Sequence, residues 1–188
     1  LWSKRFGNQF HQEAWGAAID STGRAIAAIT SYGPFVVAGA SSDGGGTSNS
    51  SSVLALDVAR DVVWSRTWTG VQITSIALDA SDRVLVTGQF GGAVDFGGGL
   101  LTSAGRTDLF VVVLDSGGGH RWSKRFGGTG RSAAMAIAPD GGGNVLLAGM
   151  SDDSFDFGGA TLVSALDPDR FSPSSDVFVA KLDAGGNH

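Results

Sequence analysis

Short apolar runs alternate along the whole chain with turns rich in Gly, Asp and Ser. The clearest runs lie in the middle third: residues 73–79 and 83–90 have partly alternating apolar positions, and residues 108–115 are apolar at almost every position. Alternation predicts a strand with one buried face, and a short continuous apolar run predicts a strand buried on both faces. Residues 120–126 complete a set of four predicted strands, with a glycine-rich excursion, residues 91–105, between the second and third.

The same order of runs occurs three times. The sequence Trp-Ser-Lys-Arg-Phe-Gly stands at residues 2–7 and again at residues 122–127, and a variant, Trp-Ser-Arg-Thr-Trp-Thr, stands at residues 64–69. Internal similarity at a fixed period is the signature of a repeat protein. The sequence therefore predicts three repeats: residues 2–63, 64–121 and 122–188. The first is the most divergent, and its first two strands are predicted at residues 17–20 and 24–30.

Four short strands in about 60 residues match one blade of a β-propeller. The predicted fold class is thus all-β, with three four-stranded antiparallel repeats that stack as blades. The first tryptophan of each repeat, Trp2, Trp64 and Trp122, is expected to be buried between neighbouring blades. A solenoid is the second alternative, although its repeats are usually shorter.

Three blades are fewer than the four to eight of a usual propeller ring. Residues 1–6 predict a fourth strand that no blade precedes, and the third repeat stops before a fourth strand of its own. We therefore expect one of three arrangements: a segment of a larger propeller, a ring of two or more copies that lend each other residues 1–6, or an open fibre.

Composition narrows the classes of function. Gly makes up 30 of 188 residues, about twice the usual share, while the apolar content of 42% opposes disorder. The net charge of −5 argues against a nucleic-acid partner, which would need a basic face. The chain contains no cysteine, which excludes disulfides and thiolate metal sites. No apolar run is long enough for a transmembrane helix, so membrane insertion is not expected.

Several short motifs of the second and third repeats resemble the bacterial β-propeller repeat family known as SBBP. They are the Trp-Ser-Lys-Arg-Phe-Gly-Gly of residues 122–128, the Gly-Asn-Val-Leu-Leu-Ala-Gly of residues 143–149, Asp-Phe-Gly-Gly at residues 95–98 and 156–159, and the Asp-led strands at residues 108–115 and 176–183. The first repeat lacks the Asp-Phe-Gly turn. The resemblance implies a secreted or surface-displayed bacterial protein and no shared catalytic residues.

Aspartates dominate the candidate site residues, and Glu13 is the one Glu among eighteen acidic residues. The Asp-Phe-Gly triplets beginning at Asp95 and Asp156 resemble a kinase motif, but the other kinase motifs are missing, so a turn is predicted. In such a turn the Asp accepts backbone amides, the Phe packs and the Gly takes positive φ. Asp108 and Asp176 precede apolar strands and are predicted to hold the preceding turns through hydrogen bonds to backbone amides.

Metal and catalytic motifs are sparse. An insertion at residues 165–175 makes Asp167, Asp169 and Asp176 candidate Ca²⁺ ligands, since hard oxygen ligands in a loop suit that ion. The chain nevertheless lacks the Asp-x-Asp-x-Asp-Gly loop with a distal Glu. The three histidines share no zinc spacing, and no Gly-x-Ser-x-Gly elbow is present. Neither a catalytic residue nor a cofactor other than Ca²⁺ is predicted.

These observations predict a non-enzymatic extracellular scaffold or protein-interaction module, with a protein partner or self-association. The alternative is a lectin-like ring of several chains with glycan sites between blades. Equivalent aromatic and polar residues at each blade junction would favour that alternative. An enzyme would instead require a cleft with perturbed titratable groups.

Overall fold

The structure is a computed structural model that describes residues 2–7, 9–33, 35–37, 40–42, 49–163 and 175–188. The described residues form antiparallel β-sheets of two to four strands and no helix. The expected all-β class is confirmed.

The first sheet consists of β1 (Gln12–Ile19), β2 (Ala25–Ser31), β5 (Ser50–Leu56) and β6 (Val62–Thr69), in that spatial order. A two-stranded ribbon, β3 (Phe35–Val37) and β4 (Ala40–Ser42), lies in the connection between β2 and β5. Each strand of this sheet thus pairs with the strand of the same sheet that follows it in the chain.

The second sheet repeats this connectivity. Its order is β7 (Val71–Leu78), β8 (Val84–Phe90), β11 (Asp108–Leu114) and β12 (His120–Phe126), and a ribbon of β9 (Ala93–Asp95) and β10 (Leu100–Thr102) again follows the second strand. We call the last strand of each of these two sheets, β6 and β12, the outer strand.

The third sheet has three strands: β13 (Ser132–Pro139), β14 (Val145–Ser151) and β15 (Asp176–Leu182). An isolated bridge between Phe155 and Leu162 lies where the other sheets have their ribbons. Among the described residues, no strand pairs with the side of β15 that faces away from β14. The expectation of four strands therefore holds for the first two sheets but not for the third.

The irregularities in strand pairing also recur in the three sheets. The pairing register shifts once in the first strand of every sheet, between Ala14 and Gly16, between Ile73 and Ser75, and between Ala134 and Ala136. A β-bulge strengthens the local twist of a strand. The three first strands therefore bend at corresponding positions.

The core lies between the sheets. One cluster joins Val53 of the first sheet to Phe110 and Val112 of the second. Another joins Leu109 and Val111 of the second sheet to residues of the third. Alternate side chains of β11 thus face opposite neighbours, which explains why residues 109–114 are all apolar and the whole strand is buried.

Two features differ from the sequence-based expectation. Residues 2–7 form no strand, because the first sheet already has its own outer strand, β6, and a strand needs a free edge to pair with. In the first repeat, β1 begins at Gln12, whereas the apolar pattern predicted a strand from residue 17. Its first half, Gln-Glu-Ala-Trp, has little apolar alternation to indicate a strand.

Candidate interaction site

The tryptophans of the outer strands lie at the junctions between sheets. Trp64 Nε1 of β6 donates to Ser116 O in the second sheet, at 3.1 Å, and Trp122 Nε1 of β12 donates to Ala184 O beyond β15, at 2.9 Å. Each indole is half-buried. Each ring lies against a glycine of the turn it contacts, Gly118 or Gly186, so closely that a Cβ there would come within 2.6 or 2.8 Å of the ring.

Trp2 does not pack at a junction between sheets as Trp64 and Trp122 do. Its side chain is 49% exposed, so the expectation that it is buried is wrong. The corresponding turn of the first sheet, after β5, has Arg60 at the position of Gly118 and Gly186, with φ of +73°. A Cβ at Gly118 or Gly186 would come within 3 Å of the indole that packs there, so Arg60 is expected to keep Trp2 from packing in the same way.

A second aromatic contact accompanies each buried junction. Trp68 near the end of β6 meets Phe96 at 5.3 Å between ring centroids, and Phe126 at the end of β12 meets Phe157 at 4.7 Å. Phe96 and Phe157 belong to the Asp-Phe-Gly triplets, and both are buried. These triplets therefore present an aromatic ring to the outer strand of the preceding sheet.

The Asp and Gly of each triplet shape the turn. Asp95 Oδ1 accepts hydrogen bonds from the backbone N–H of Gly97 at 2.7 Å and of Gly99 at 3.0 Å. Asp156 Oδ1 accepts one from Gly158 N–H at 2.7 Å. Gly97 and Gly158 have φ of +111° and +102°, where a Cβ would be strained. Hydrogen bonds from Gly97 and Gly99 lower the pKa of Asp95.

Asp108 is completely buried at the start of β11. Its Oδ2 accepts a hydrogen bond from Ala104 N–H at 2.8 Å and also forms an ion pair with Arg125 Nη1 of the outer strand β12. Asp108 thus joins the turn before β11 to the strand after it. Asp176 begins β15 at the corresponding position and is partly exposed.

Sequence reasoning missed six aspartates that end the first and third strands of the sheets. Each begins a five-residue turn in which its backbone N–H donates to the carbonyl four residues later and its carboxylate accepts the backbone N–H of that same residue. They are Asp20, Asp57, Asp79, Asp115, Asp140 and Asp183. The recurrence of Asp directly after an apolar run was the signal that could have revealed them.

The two buried members of this set pair with arginine. Asp20 Oδ2 accepts from Arg24 Nε at 2.6 Å, and Asp79 pairs in the same way with Arg83. Burial alone would raise the pKa of Asp20, but hydrogen bonds from Thr22 and Arg24 outweigh it and hold the pKa at about 2. The same balance, with Arg83 and Ser81 as donors, lowers the pKa of Asp79.

Of the three candidate Ca²⁺ ligands, only Asp176 belongs to the described residues. Asp167 and Asp169 lie outside them, so their role stays a prediction. Within the part of the chain that the structure describes, no three His, Cys, Asp or Glu side chains are grouped to hold a metal ion. The aspartates just upstream of the insertion bind protein groups: Asp152 Oδ1 accepts from Ser175 Oγ at 2.5 Å, and Asp153 Oδ2 accepts from Thr129 N–H at 2.8 Å.

A charged cleft of about 650 Å³ lies among the turns of the second and third sheets. Several of its ionic groups contact one another or the backbone: Asp79 pairs with Arg83, Asp140 pairs with Lys181 at 2.6 Å, and Arg83 Nη2 donates to Gly143 O at 3.2 Å. These contacts give the charged groups a role in joining turns.

The third sheet presents an apolar surface that has no counterpart in the second. Leu85, Leu109 and Val111 of the second sheet are at most 1% exposed, because the third sheet covers them. The corresponding positions of the third sheet are exposed, with Val177 at 80% and Val179 at 68%. We call this surface the free face; it comprises Met135, Leu146, Met150, Val177 and Val179.

The free face adjoins the open edge of β15. A groove of about 450 Å³ runs beside the first half of the strand. Hydrophobic and acidic groups line it together, among them Asp153, Phe155, Asp176 and Val179. Open backbone groups, an apolar face and a carboxylate thus lie side by side, which is the chemistry that accepts an added strand.

No protein-family model matches the chain, and no curated protein sequence is similar enough to count as a relative. The described residues contain no helix that is long and apolar enough to cross a membrane.

Proposed function

We propose that the chain is a non-enzymatic β-propeller-type repeat protein that acts as a structural scaffold and protein-interaction module through the open edge and free face of its third sheet. The observation that carries the proposal is that Val177 and Val179 are exposed, whereas the corresponding residues of the second sheet, Leu109 and Val111, are buried. Contiguous exposed apolar surface of this kind marks interaction sites.

The arrangement of the sheets favours propeller blades over a solenoid. The first strands of the three sheets are neighbours, since β7 contacts both β1 and β13. The outer strands lie at the opposite edges of their sheets. First strands that lie side by side, with the sheets packed face to face, support an arrangement of blades around an axis.

The charged and aromatic groups favour a scaffold over the other classes. Asp79 and Asp140, two carboxylates of the cleft, are paired with Arg83 and Lys181. Trp64 and Trp122 use their N–H groups and one ring face at the junctions between sheets, which supports a packing role for both. The secreted or cell-surface location is favoured by the resemblance of the repeats to the SBBP family.

Mass in solution tests the proposed role. Sedimentation velocity across a range of concentrations, with negative-stain images, should give particles heavier than the 19.1 kDa chain, in the form of rings or filaments. Val179→Asp should weaken association, because it places a charge on the free face. Leu100→Asp is the matched control, since Leu100 has the same exposed fraction, 68%, and lies on the ribbon of the second sheet. A monodisperse monomer at every concentration would contradict the proposal.

A further inference from the structure

We infer that the charged cleft between the second and third sheets binds a carboxylate group of a ligand, through the guanidinium of Arg121 and the backbone N–H of Ala80. Both residues line this cleft. None of the residues that line it belongs to the free face, so the site is separate from the surface of the proposed function. The ligand is a small organic acid or a peptide with an acidic side chain, since both present the same group.

The junction of the first and second sheets shows how a carboxylate fits between two such turns. There, Ser21 N–H donates to Asp82 Oδ1 at 2.9 Å, and Ser21 Oγ donates to Asp82 Oδ2. Ser21 is the second residue of the turn after β1, and Asp82 is the fourth residue of the turn after β7. One carboxylate therefore joins the turn of the first sheet to the turn of the second.

The junction of the second and third sheets lacks this carboxylate. The residues at the corresponding turn positions are Ala80 and Gly143, which have neither a hydroxyl nor a carboxylate. Arg83 Nη2 instead donates to Gly143 O, and the cleft of about 650 Å³ lies among these turns. Within the described residues, the N–H of Ala80 donates to no protein acceptor. This junction thus keeps the backbone donor but has no side-chain carboxylate to accept from it.

Arg121 adds a cation to the same cleft. The pairing of β12 with β11 skips Arg121, which is therefore the extra residue of a β-bulge, and a bulge can re-aim a side chain. The corresponding bulge residue of β6 is Val63, which precedes Trp64 as Arg121 precedes Trp122. The Arg121 side chain forms no hydrogen bond or ion pair with any residue that the structure describes. Its guanidinium is therefore available for charge-assisted hydrogen bonds to a carboxylate.

The aspartates of the cleft restrict the charge of the ligand. Asp79 and Asp140 each pair with a basic side chain, and Asp115 accepts two backbone N–H groups of its own turn, at 2.9 and 2.8 Å. None of the three is paired with Arg121. Three nearby negative charges repel a doubly charged phosphate more strongly than a singly charged carboxylate. The cleft therefore favours a carboxylate over a phosphate.

Titration by NMR tests the site. N-acetylglycine added to ¹⁵N-labelled protein should shift the signals of the Arg121 side-chain N–H groups and of the Ala80 N–H, with a Kd in the millimolar range. Arg121→Gln should weaken binding at least about tenfold, because it removes charge-assisted hydrogen bonds. Arg66→Gln is the matched control, since Arg66 is likewise an exposed arginine of an outer strand. The inference is wrong if neither signal shifts, or if the two variants bind N-acetylglycine equally well.

A carboxylate built into the turn tests the position of the ligand. Gly143→Asp gives the third sheet the residue that the second sheet has at Asp82. The backbone accepts it, because Gly143 has φ of +81° and Asp82 already adopts +57°. A Cβ at Gly143 would lie 3.0 Å from Arg83 Nη2, the flexible end of a long side chain. The variant should keep its circular dichroism and bind N-acetylglycine at least about tenfold more weakly, because its own carboxylate takes the site. Unchanged affinity in the folded variant would place the ligand elsewhere.

Further probes identify the source of the carboxylate. The peptide acetyl-Gly-Asp-Gly-amide should shift the same signals, whereas the uncharged acetyl-Gly-Asn-Gly-amide should not. Tighter binding of the Asp peptide than of N-acetylglycine assigns the site to an acidic peptide, and the reverse order assigns it to a small organic acid. Equal binding of the Asn peptide, or tighter binding of inorganic phosphate than of either carboxylate, would contradict the inference. Because these signals come from the cleft, they are read independently of self-association through the free face.

Discussion

One turn position decides whether a junction tryptophan can pack. Gly118 and Gly186 let Trp64 and Trp122 lie directly on the turn backbone. Arg60, at the corresponding position of the first sheet, has the same left-handed backbone but adds a side chain, and Trp2 is exposed. The glycines are therefore needed for two reasons, positive φ and close approach of an indole.

A substitution at Gly118 separates these two reasons. Gly118→Ala should destabilise the protein by about 2–4 kcal/mol, because it adds strain at positive φ and a clash with the Trp64 ring. Gly92→Ala is the matched control: Gly92 has the same φ, +78°, but no atom lies within 4 Å of its Cβ position. Urea unfolding should show the larger loss for Gly118→Ala, and equal losses would mean that the contact with Trp64 has no energetic weight.

The reverse substitution at Arg60 should be favourable. Arg60→Gly removes a non-glycine residue from φ of +73°, which should stabilise the fold by about 1 kcal/mol. It also opens the turn to Trp2. Acrylamide should then quench the fluorescence of Trp2 less. The contribution of Trp2 is the difference in fluorescence between proteins with and without the substitution Trp2→Phe. Unchanged quenching would show that Arg60 is not what keeps Trp2 exposed.

At the scale of elements, the bounds of strands were predicted most accurately where a strand is buried on both faces. The apolar runs at β8 and β11 lie close to their observed bounds, since burial forces apolar residues into consecutive positions. The start of β1 was missed because Gln12 to Gly16 show no regular apolar alternation. The fate of residues 2–7 could not be predicted from their own pattern, because pairing depends on whether a sheet edge is open.

The Asp-Phe-Gly turns connect elements by their phenylalanines. Phe157 is 5% exposed and contacts both Phe126 of the second sheet and Phe178 of the third. Phe157→Ala should cost about 3–4 kcal/mol and loosen the junction of these two sheets. Hydrogen exchange should increase in β12 and β15 more than in β2. A uniform increase, or a loss similar to that of the exposed control Leu100→Ala, would contradict this role.

At the scale of the molecule, many of the aspartates that make the chain acidic lie in the turns between strands. Seventeen of the eighteen acidic residues are Asp, and those with lowered pKa begin or join turns, including Asp20, Asp79, Asp95, Asp140 and Asp183. The largest cause at Asp140 is the hydrogen bond from Lys181, and at Asp183 it is the backbone N–H of Asn187. The turns at the ends of all three sheets therefore depend on ionised carboxylates.

This dependence predicts the direction of acid unfolding. A carboxyl whose folded pKa lies below its unfolded value of about 3.9 stabilises the fold above that value, and the contribution is lost as pH falls toward the folded pKa. For Asp20, with a folded pKa of about 2, the window is about pH 4 to 2, and the contribution is about 2 kcal/mol. Urea unfolding at pH 7, 4, 3 and 2 should show stability falling within this window. Asp20→Asn should lower stability at pH 7 and flatten the pH dependence, whereas the exposed control Asp61→Asn should do neither. An equal slope in Asp20→Asn would mean that other carboxylates carry the acid sensitivity.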